Sequence, residues 1–334
     1  LKLFTFCFYI GKNTYHELVR MLFVLIASLD RFHPDFFLVV YHNLGIVIDD
    51  PRVLMVGGGV KGGEVDLLLD ADGCDGNVWV EGSVVRNRWY KLNFNRVHAF
   101  KNLYDEYDGA CFTWIDLDTI VVADLSYLSG VDNYFIFHGG DGDDDGGRRH
   151  DVILCGGGGG DVLWSVPERM YIHGSFWKLT LPLYHEVLRL DALFRENGVR
   201  LKYDVQSIFS VMAWGGGGGG GGGCGVDNRC PFYDGVSCAE SGSMRVIGYN
   251  FMPGVMNGLG VWDTKDGVGN HVNMEALANM IWSDDDGGEG AILRTTVYPD
   301  KEIHILSLTF DSFFMSNIEG SSDFSRLFPF LSGG

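Results

Sequence analysis

The apolar residues begin in a short unbroken run from Leu3 to Ile10, whose aromatic-rich character suits a strand buried on both faces. From Tyr15 to Asp30 the spacing changes to Leu18, Leu22, Leu25, Ile26 and Leu29, the period of an amphipathic helix. Phe36 to His42 then returns to a strand pattern. Strand, helix and strand in that order predict a βαβ unit, and with it a parallel sheet covered by helices. The chain therefore opens as a doubly wound α/β fold.

Beyond a glycine-rich stretch at residues 57–82, Trp89, Leu92, Phe94, Val97, Phe100 and Leu103 predict a helix from Arg88 to Tyr107. Ala110 to Ile115 reads as a short apolar strand. Asp116-Leu117-Asp118 follows it directly, before β-branched character resumes from Thr119 to Val122 and gives way to Asp124-Leu125-Ser126. Val187, Leu188, Leu190, Leu193 and Phe194 mark a helix from Tyr184 to Asn197, with Gly198 where a left-handed C-cap is expected. Asp204 to Trp214 is a further helix, and Val246 to Phe251 and Glu302 to Leu308 are late strands. No repeat of fixed period and no linker composition interrupts the chain, so residues 1–334 read as a single domain.

Composition changes this picture in few places. Hydrophobic residues make up 46% of 334 positions, enough for a sizeable core. The 48 glycines are about twice average usage and crowd into residues 156–160 and 215–223. The first of these runs interrupts the apolar Ile153-Leu154-Cys155, so some of these glycines read as stand-ins for other side chains, which genuine glycine codons would disprove. A formal charge of −19 argues against a nucleic-acid partner, because phosphates need a basic surface. The runs at Asp143-Asp144-Asp145 and Asp284-Asp285-Asp286 read as solvated loops.

The seven cysteines contain no C-x-x-C, and Cys224, Cys230 and Cys238 fit no zinc spacing. Those three leave a disulfide and free thiols equally open, and with them an oxidising lumen (Golgi or ER) and the cytoplasm. No apolar stretch reaches the ~18–20 residues that cross a bilayer, and Met21 to Leu29 reads as a core helix. No membrane anchor is visible. The sequence opens at Leu1 directly in a strand, without an initiator methionine, which leaves an upstream segment open.

The candidate chemistry centres on Asp116 and Asp118. Two carboxylates two residues apart at a strand end are expected to point to the same side, where they can ligate a hard divalent cation. The competing reading is a capped or solvated turn. Burial of the preceding Cys111-Phe112-Thr113-Trp114-Ile115 argues against it, since two desolvated neighbouring carboxylates without a cation cost several kcal/mol. Thr5 and Tyr9 lie on the first strand, at the sheet edge where an open α/β fold would bind a nucleotide base.

Tyr90-Lys91-Leu92 on a helix, followed by Ile115-Asp116-Leu117-Asp118-Thr119-Ile120-Val121-Val122 and Asp124-Leu125, resembles the glycogenin and lipopolysaccharide galactosyltransferase group of glycosyltransferase family 8. Further landmarks recur in the family's order. Gly174-Ser175-Phe176 stands where the family has an Asn-Ala-Gly turn, Asp204-Val205-Gln206 where it has an Asp-Gln pair, and Tyr249-Asn250-Phe251 near a Tyr-Asn strand. His304 stands where the family has its metal-binding histidine.

The resemblance implies a GT-A-like, Rossmann-like domain with a mostly parallel central sheet flanked by helices. Residues 1–130 would form the nucleotide-sugar half and residues 131–334 the acceptor half. Its activity would be metal-dependent transfer of a sugar, with retention, from a UDP-sugar to a hydroxyl of a glycan, glycolipid or protein. Lys91, Gly174 and Ser175 would then contact the donor, Asp116 the donor and the metal, and Asp118 and His304 the metal, with His271 as a rival third ligand. Asp204 and Gln206 would act at the reaction centre. Oxygen and imidazole ligands together suit Mn²⁺ as well as Mg²⁺.

Three alternatives stay open: an inverting enzyme with Asp204 as base, a nucleotidyltransferase, and a sugar-nucleotide binder without turnover. A nucleotidyltransferase is disfavoured by Gly11-Lys12-Asn13-Thr14, too slight a phosphate loop. The binder is suggested because His304-Ile305-Leu306-Ser307-Leu308 is not followed by the glycine and lysine of the family.

Overall fold

Alternate side chains of the first strand go to opposite faces of the sheet, and what covers each face builds the rest of the molecule. The computed structural model describes residues 1–8, 15–57, 84–121, 123–139, 149–155, 161–167, 171–197, 199–201, 204–215, 230, 246–251, 262–263, 271–272, 293–294, 302–303 and 305–307. In chain order the elements are β1 (Lys2–Cys7), α1 (Tyr15–Phe32), β2 (Phe37–His42), β3 (Val53–Gly57), α2 (Val84–Glu106), β4 (Thr113–Ile115) and β5 (Thr119–Val121). A 3₁₀ turn at Ser126–Leu128 leads to β6 (Tyr134–Gly139), β7 (Arg149–Cys155), β8 (Asp161–Pro167), β9 (Ile172–Lys178), α3 (Leu181–Glu196), β10 (Arg200–Leu201), α4 (Asp204–Trp214) and β11 (Val246–Phe251). Short strands follow: β12 (Trp262–Asp263), β13 (His271–Val272), β14 (Leu293–Arg294), β15 (Glu302–Ile303) and β16 (Ile305–Ser307).

Seven strands form the main sheet in the order β11-β6-β9-β4-β1-β2-β3. β3, β2, β1 and β4 run parallel to one another, β9 lies antiparallel between β4 and β6, and β11 is parallel to β6. The fold is thus mixed α/β with a mostly parallel central sheet flanked by helices. The chain winds outward from β1 through β2 to β3 and returns on the other side of β1 as β4. That reversal makes the β1/β4 boundary the topological switch point, the place where open α/β sheets bind ligands at the carboxyl ends of their strands.

Phe4, Phe6 and Phe8 share one face with Val39, Tyr41 and Trp114, and pack there against Phe94, Val97 and Phe100 of α2 and Ile208 and Phe209 of α4. Leu3 and Cys7 take the other face with Leu38, Val40 and Ile115, against Leu18, Leu22, Leu25 and Leu29 of α1. Each fully buried side chain of this size contributes about 1.5–3 kcal/mol, so both helical layers are held by burial. Rings tie the α2 face together: Trp114 stacks on Trp177 at 6.1 Å, and Phe4 meets Trp114 edge-on at 5.2 Å.

The expected strand, helix and strand at the amino terminus are present, with α1 continuing to Phe32. Asp204–Trp214 and Val246–Phe251 coincide with the expected elements, whereas α2 begins at Val84 rather than Arg88. α2 ends where Asp108 (φ 52°) and Gly109 (φ 83°) turn left-handed, and Gly109 N–H donates to Tyr104 O at 2.8 Å. Glycine suits that position because a Cβ is strained there. Gly198 lies outside the described residues. Asn197 closes α3, its backbone N–H and its Nδ2 both donating to Leu193 O, at 3.2 and 2.8 Å.

The segment expected as one strand from Glu302 to Leu308 divides into β15, paired with β14, and β16, paired with β5. Gly174-Ser175-Phe176, expected at a turn, lies inside β9. The pairing of β9 with β6 jumps there from Phe135↔Trp177 to Ile136↔His173, so the three residues are unpaired on the β6 side. No described helix is long and apolar enough to cross a membrane.

Candidate active site

The short strand β4 is buried along its whole length, with β1 on one side and β9 on the other. At its carboxyl end the chain folds into a turn, in which Thr119 N–H donates to Asp116 O at 3.1 Å. Asp116 and Asp118 therefore occupy the first and third positions of a four-residue turn rather than alternate positions of a strand. Both are partly exposed, at the β1/β4 switch point.

Asp116 is held from several directions. Its N–H donates to Ser175 O at 2.7 Å across the β4–β9 boundary. Its Oδ1 accepts from Trp114 Nε1 at 2.7 Å and from Arg96 Nη1 at 3.2 Å. The same Arg96 nitrogen donates to Gly174 O at 3.0 Å, and the guanidinium lies 5.2 Å from the centre of the Trp114 ring. The Arg96 side chain is 3% exposed and that of Asp116 26%, so the cation is sealed beneath the carboxylate. A buried arginine of this kind persists because charge-assisted hydrogen bonds and a π face replace its hydration.

Gly174 supplies the remaining space. A Cβ there would stand 2.7 Å from Gln206 Cγ and 3.0 Å from Arg96 Nη2. The missing side chain lets α4 bring Gln206 against β9, beside the arginine. Asp116, Gly174 and Gln206, distant in sequence, thus meet around Arg96, and Ser175 joins through its backbone carbonyl. The Ser175 hydroxyl turns elsewhere and donates to His173 Nδ1 at 2.8 Å, the nitrogen that also accepts Ser175 N–H at 3.2 Å.

Arg96 is the residue that sequence reasoning missed. Its signal was present: Arg96, Phe100 and Leu103 share one helical face at i, i+4 and i+7, and both neighbours are core residues. A charge on the buried face of a helix demands a partner. The nearby Lys91 lies within α2, but its side chain is outside the described residues.

Asp204 begins α4, two positions before Gln206, and its side chain is likewise outside the described set. Thr5 sits in the middle of β1 on the α1 face, fully buried, with no hydrogen-bond partner for Oγ1. Tyr9 and His304 lie outside the described residues. β16 nonetheless brings the late chain to the carboxylate turn, since Ser307 pairs with Thr119, the residue after Asp118. His271 opens β13, opposite Asp263.

Among the described residues no three His, Cys, Asp or Glu side chains form a cation-binding group. The donor chemistry of the turn fits a hard divalent cation all the same. Asp116 and Asp118 are partly exposed oxygen donors, and hydrogen bonds to one oxygen already orient Asp116. A scan against protein-family models finds no match, and no curated protein matches the chain either.

Proposed function

We propose that the chain is a GT-A-type glycosyltransferase that moves a sugar from a nucleoside diphosphate donor, a UDP-sugar, to a hydroxyl acceptor with retention. The observation that carries this reading is the carboxylate turn at the end of β4, placed at the sheet's switch point and joined through Arg96 to Gly174 and Gln206. Switch points of this kind bind nucleotides in open α/β folds because the carboxyl ends of the strands and the loops beyond them surround the ligand. The resemblance of residues 90–125 to glycosyltransferase family 8 supplies the chemistry.

In this reading Asp116 and Asp118 hold Mn²⁺ or Mg²⁺, with His304 as a third ligand. The bound cation supplies neutralisation of the charge on the departing diphosphate. Gln206 and Asp204 position the sugar while positive character develops at its anomeric carbon. Gln206 has a structural reason to serve, since the absent Gly174 side chain leaves it against the strand that abuts Asp116. Lys91 and Tyr9 complete the proposed donor contacts, whereas Thr5, fully buried on the α1 face of β1, is corrected to a core residue.

The test is a donor screen that follows nucleotide release from UDP- and GDP-sugars, with Mn²⁺ and with chelator, in wild type and Asp118→Ala. Metal-dependent release from one donor, abolished by the substitution, is the expected result. Binding without release would favour the turnover-free binder that the missing glycine and lysine after His304 suggest. Failure of every donor to bind would end the proposal.

A further inference from the structure

Arg96 places a buried positive charge on the same carboxylate that is proposed to receive a divalent cation. Its Nη1 donates to Asp116 Oδ1 at 3.2 Å and to Gly174 O at 3.0 Å, and its guanidinium covers the Trp114 ring. With 3% of the side chain exposed, solvent and salt screen that charge poorly. A cation arriving at the turn meets a carboxylate whose charge is already offset by the guanidinium held beneath it.

We infer that Arg96 is a positioning residue that keeps a divalent cation off the Asp116–Asp118 turn until a nucleoside diphosphate is present, so that metal and nucleotide load together. The inference rests on the proposed function and adds the order in which that site fills. Two effects of the guanidinium oppose each other. By gripping Oδ1 together with Trp114 it fixes the Asp116 carboxylate, which favours any ligand that fits. By its charge it repels a bare dication, and at a few ångströms in a poorly screened site repulsion is the larger effect. A diphosphate reverses the balance, because its own negative charge attracts both the cation and the arginine. Metal and nucleotide then raise each other's affinity by the same factor, as linkage requires.

The experiment is titration calorimetry of Mn²⁺ alone, UDP alone, and Mn²⁺ with UDP present, on wild type, Arg96→Gln and Arg96→Lys. Wild type should bind Mn²⁺ weakly alone and far more tightly with UDP. Arg96→Gln should bind Mn²⁺ alone about 10- to 100-fold more tightly than wild type and show a smaller coupling to UDP. Arg96→Lys keeps the charge and should stay weak. A lost structural support would loosen Mn²⁺ binding instead of tightening it, which separates the two roles. Should Arg96→Gln fail to fold, Arg96→Met keeps the aliphatic packing on Trp114 and carries the same expectation.

If wild type binds Mn²⁺ with UDP while removal of the charge leaves the affinity for Mn²⁺ alone unchanged or weaker, the inference is overturned and the proposed function stands. Wild type that binds UDP neither with nor without Mn²⁺ would overturn both.

Discussion

Gly174→Ala tests how the candidate site is assembled. A Cβ at this position would lie 2.7 Å from Gln206 Cγ, 2.9 Å from Gln206 Nε2 and 3.0 Å from Arg96 Nη2. Carbon atoms pack at about 3.5–4.0 Å, so all three contacts are too close. The two nitrogens end long side chains and can move. Gln206 Cγ cannot move so cheaply, because χ1 alone sets its position and α4 restricts the χ1 rotamers open to it. Relief requires a different rotamer or a displacement of α4 from β9, and overpacking of this kind destabilises by about 1–3 kcal/mol.

The assay is urea unfolding of wild type, Gly174→Ala, Gln206→Ala and the double variant. Gln206→Ala removes the clashing Cγ, so in that background Gly174→Ala should lose most of its effect, a coupling of about 1 kcal/mol or more. Equal destabilisation in both backgrounds would refute the steric account, and a neutral single variant would refute the close approach of α4 itself. On the proposed function, Gly174→Ala should also slow sugar transfer, since Gln206 is pushed off the strand it leans on.

His33 Nε2 accepts Leu125 N–H at 2.8 Å, and burial holds its pKa below the ordinary 6.5, although Asp124 pulls the other way. Because the folded value is depressed, the neutral ring's contribution is fully present above the unfolded pKa of about 6.5 and is lost as pH falls through the folded value. Wild type should thus lose about 1 kcal/mol of stability on acidification from neutral pH that His33→Leu does not. Urea midpoints at pH 5, 6 and 7 measure this, and equal slopes for the two proteins would contradict it. On the proposed function, Trp114→Phe, which removes the 2.7 Å donor to Asp116, should weaken the Mn²⁺ affinity read from nucleotide release by about tenfold; an unchanged titration would show that this hydrogen bond does not orient Asp116. Burial pushes the Cys7 thiol up to about 12, and its Sγ contacts Leu18 O at 3.8 Å. Iodoacetamide at mildly alkaline pH should leave Cys7 unmodified in the native protein and label it in urea, whereas rapid native labelling would mean that α1 does not cover β1.

Pattern alone placed β1, α1 and β2 closely, because strands buried on both faces leave unbroken apolar runs and a helix packed on one face leaves a helical period. A run of buried letters also marked where β4 ends before Asp116, but the strand-end geometry expected of Asp116 and Asp118 gave way to a four-residue turn. β9 illustrates the opposite case. His173, Gly174 and Ser175 break any strand period, and the segment is a strand because β4 and β6 pair with it from both sides. Its register jump against β6, which leaves Gly174, Ser175 and Phe176 unpaired there, is a property of two strands and is written in neither one.

The geometry of the site has the same origin. Sequence named Asp116, Gly174 and Gln206 separately by their likeness to a family, but nothing local relates a helix at Arg96, a turn at Asp116 and a strand at Gly174. Only the folded chain gives one guanidinium both Asp116 Oδ1 and Gly174 O, and only there does the absence of a Cβ become the space that Gln206 approaches. The division follows from range. Burial patterns are set residue by residue along an element, whereas hydrogen-bond partners and close approaches depend on which elements the sheet brings side by side.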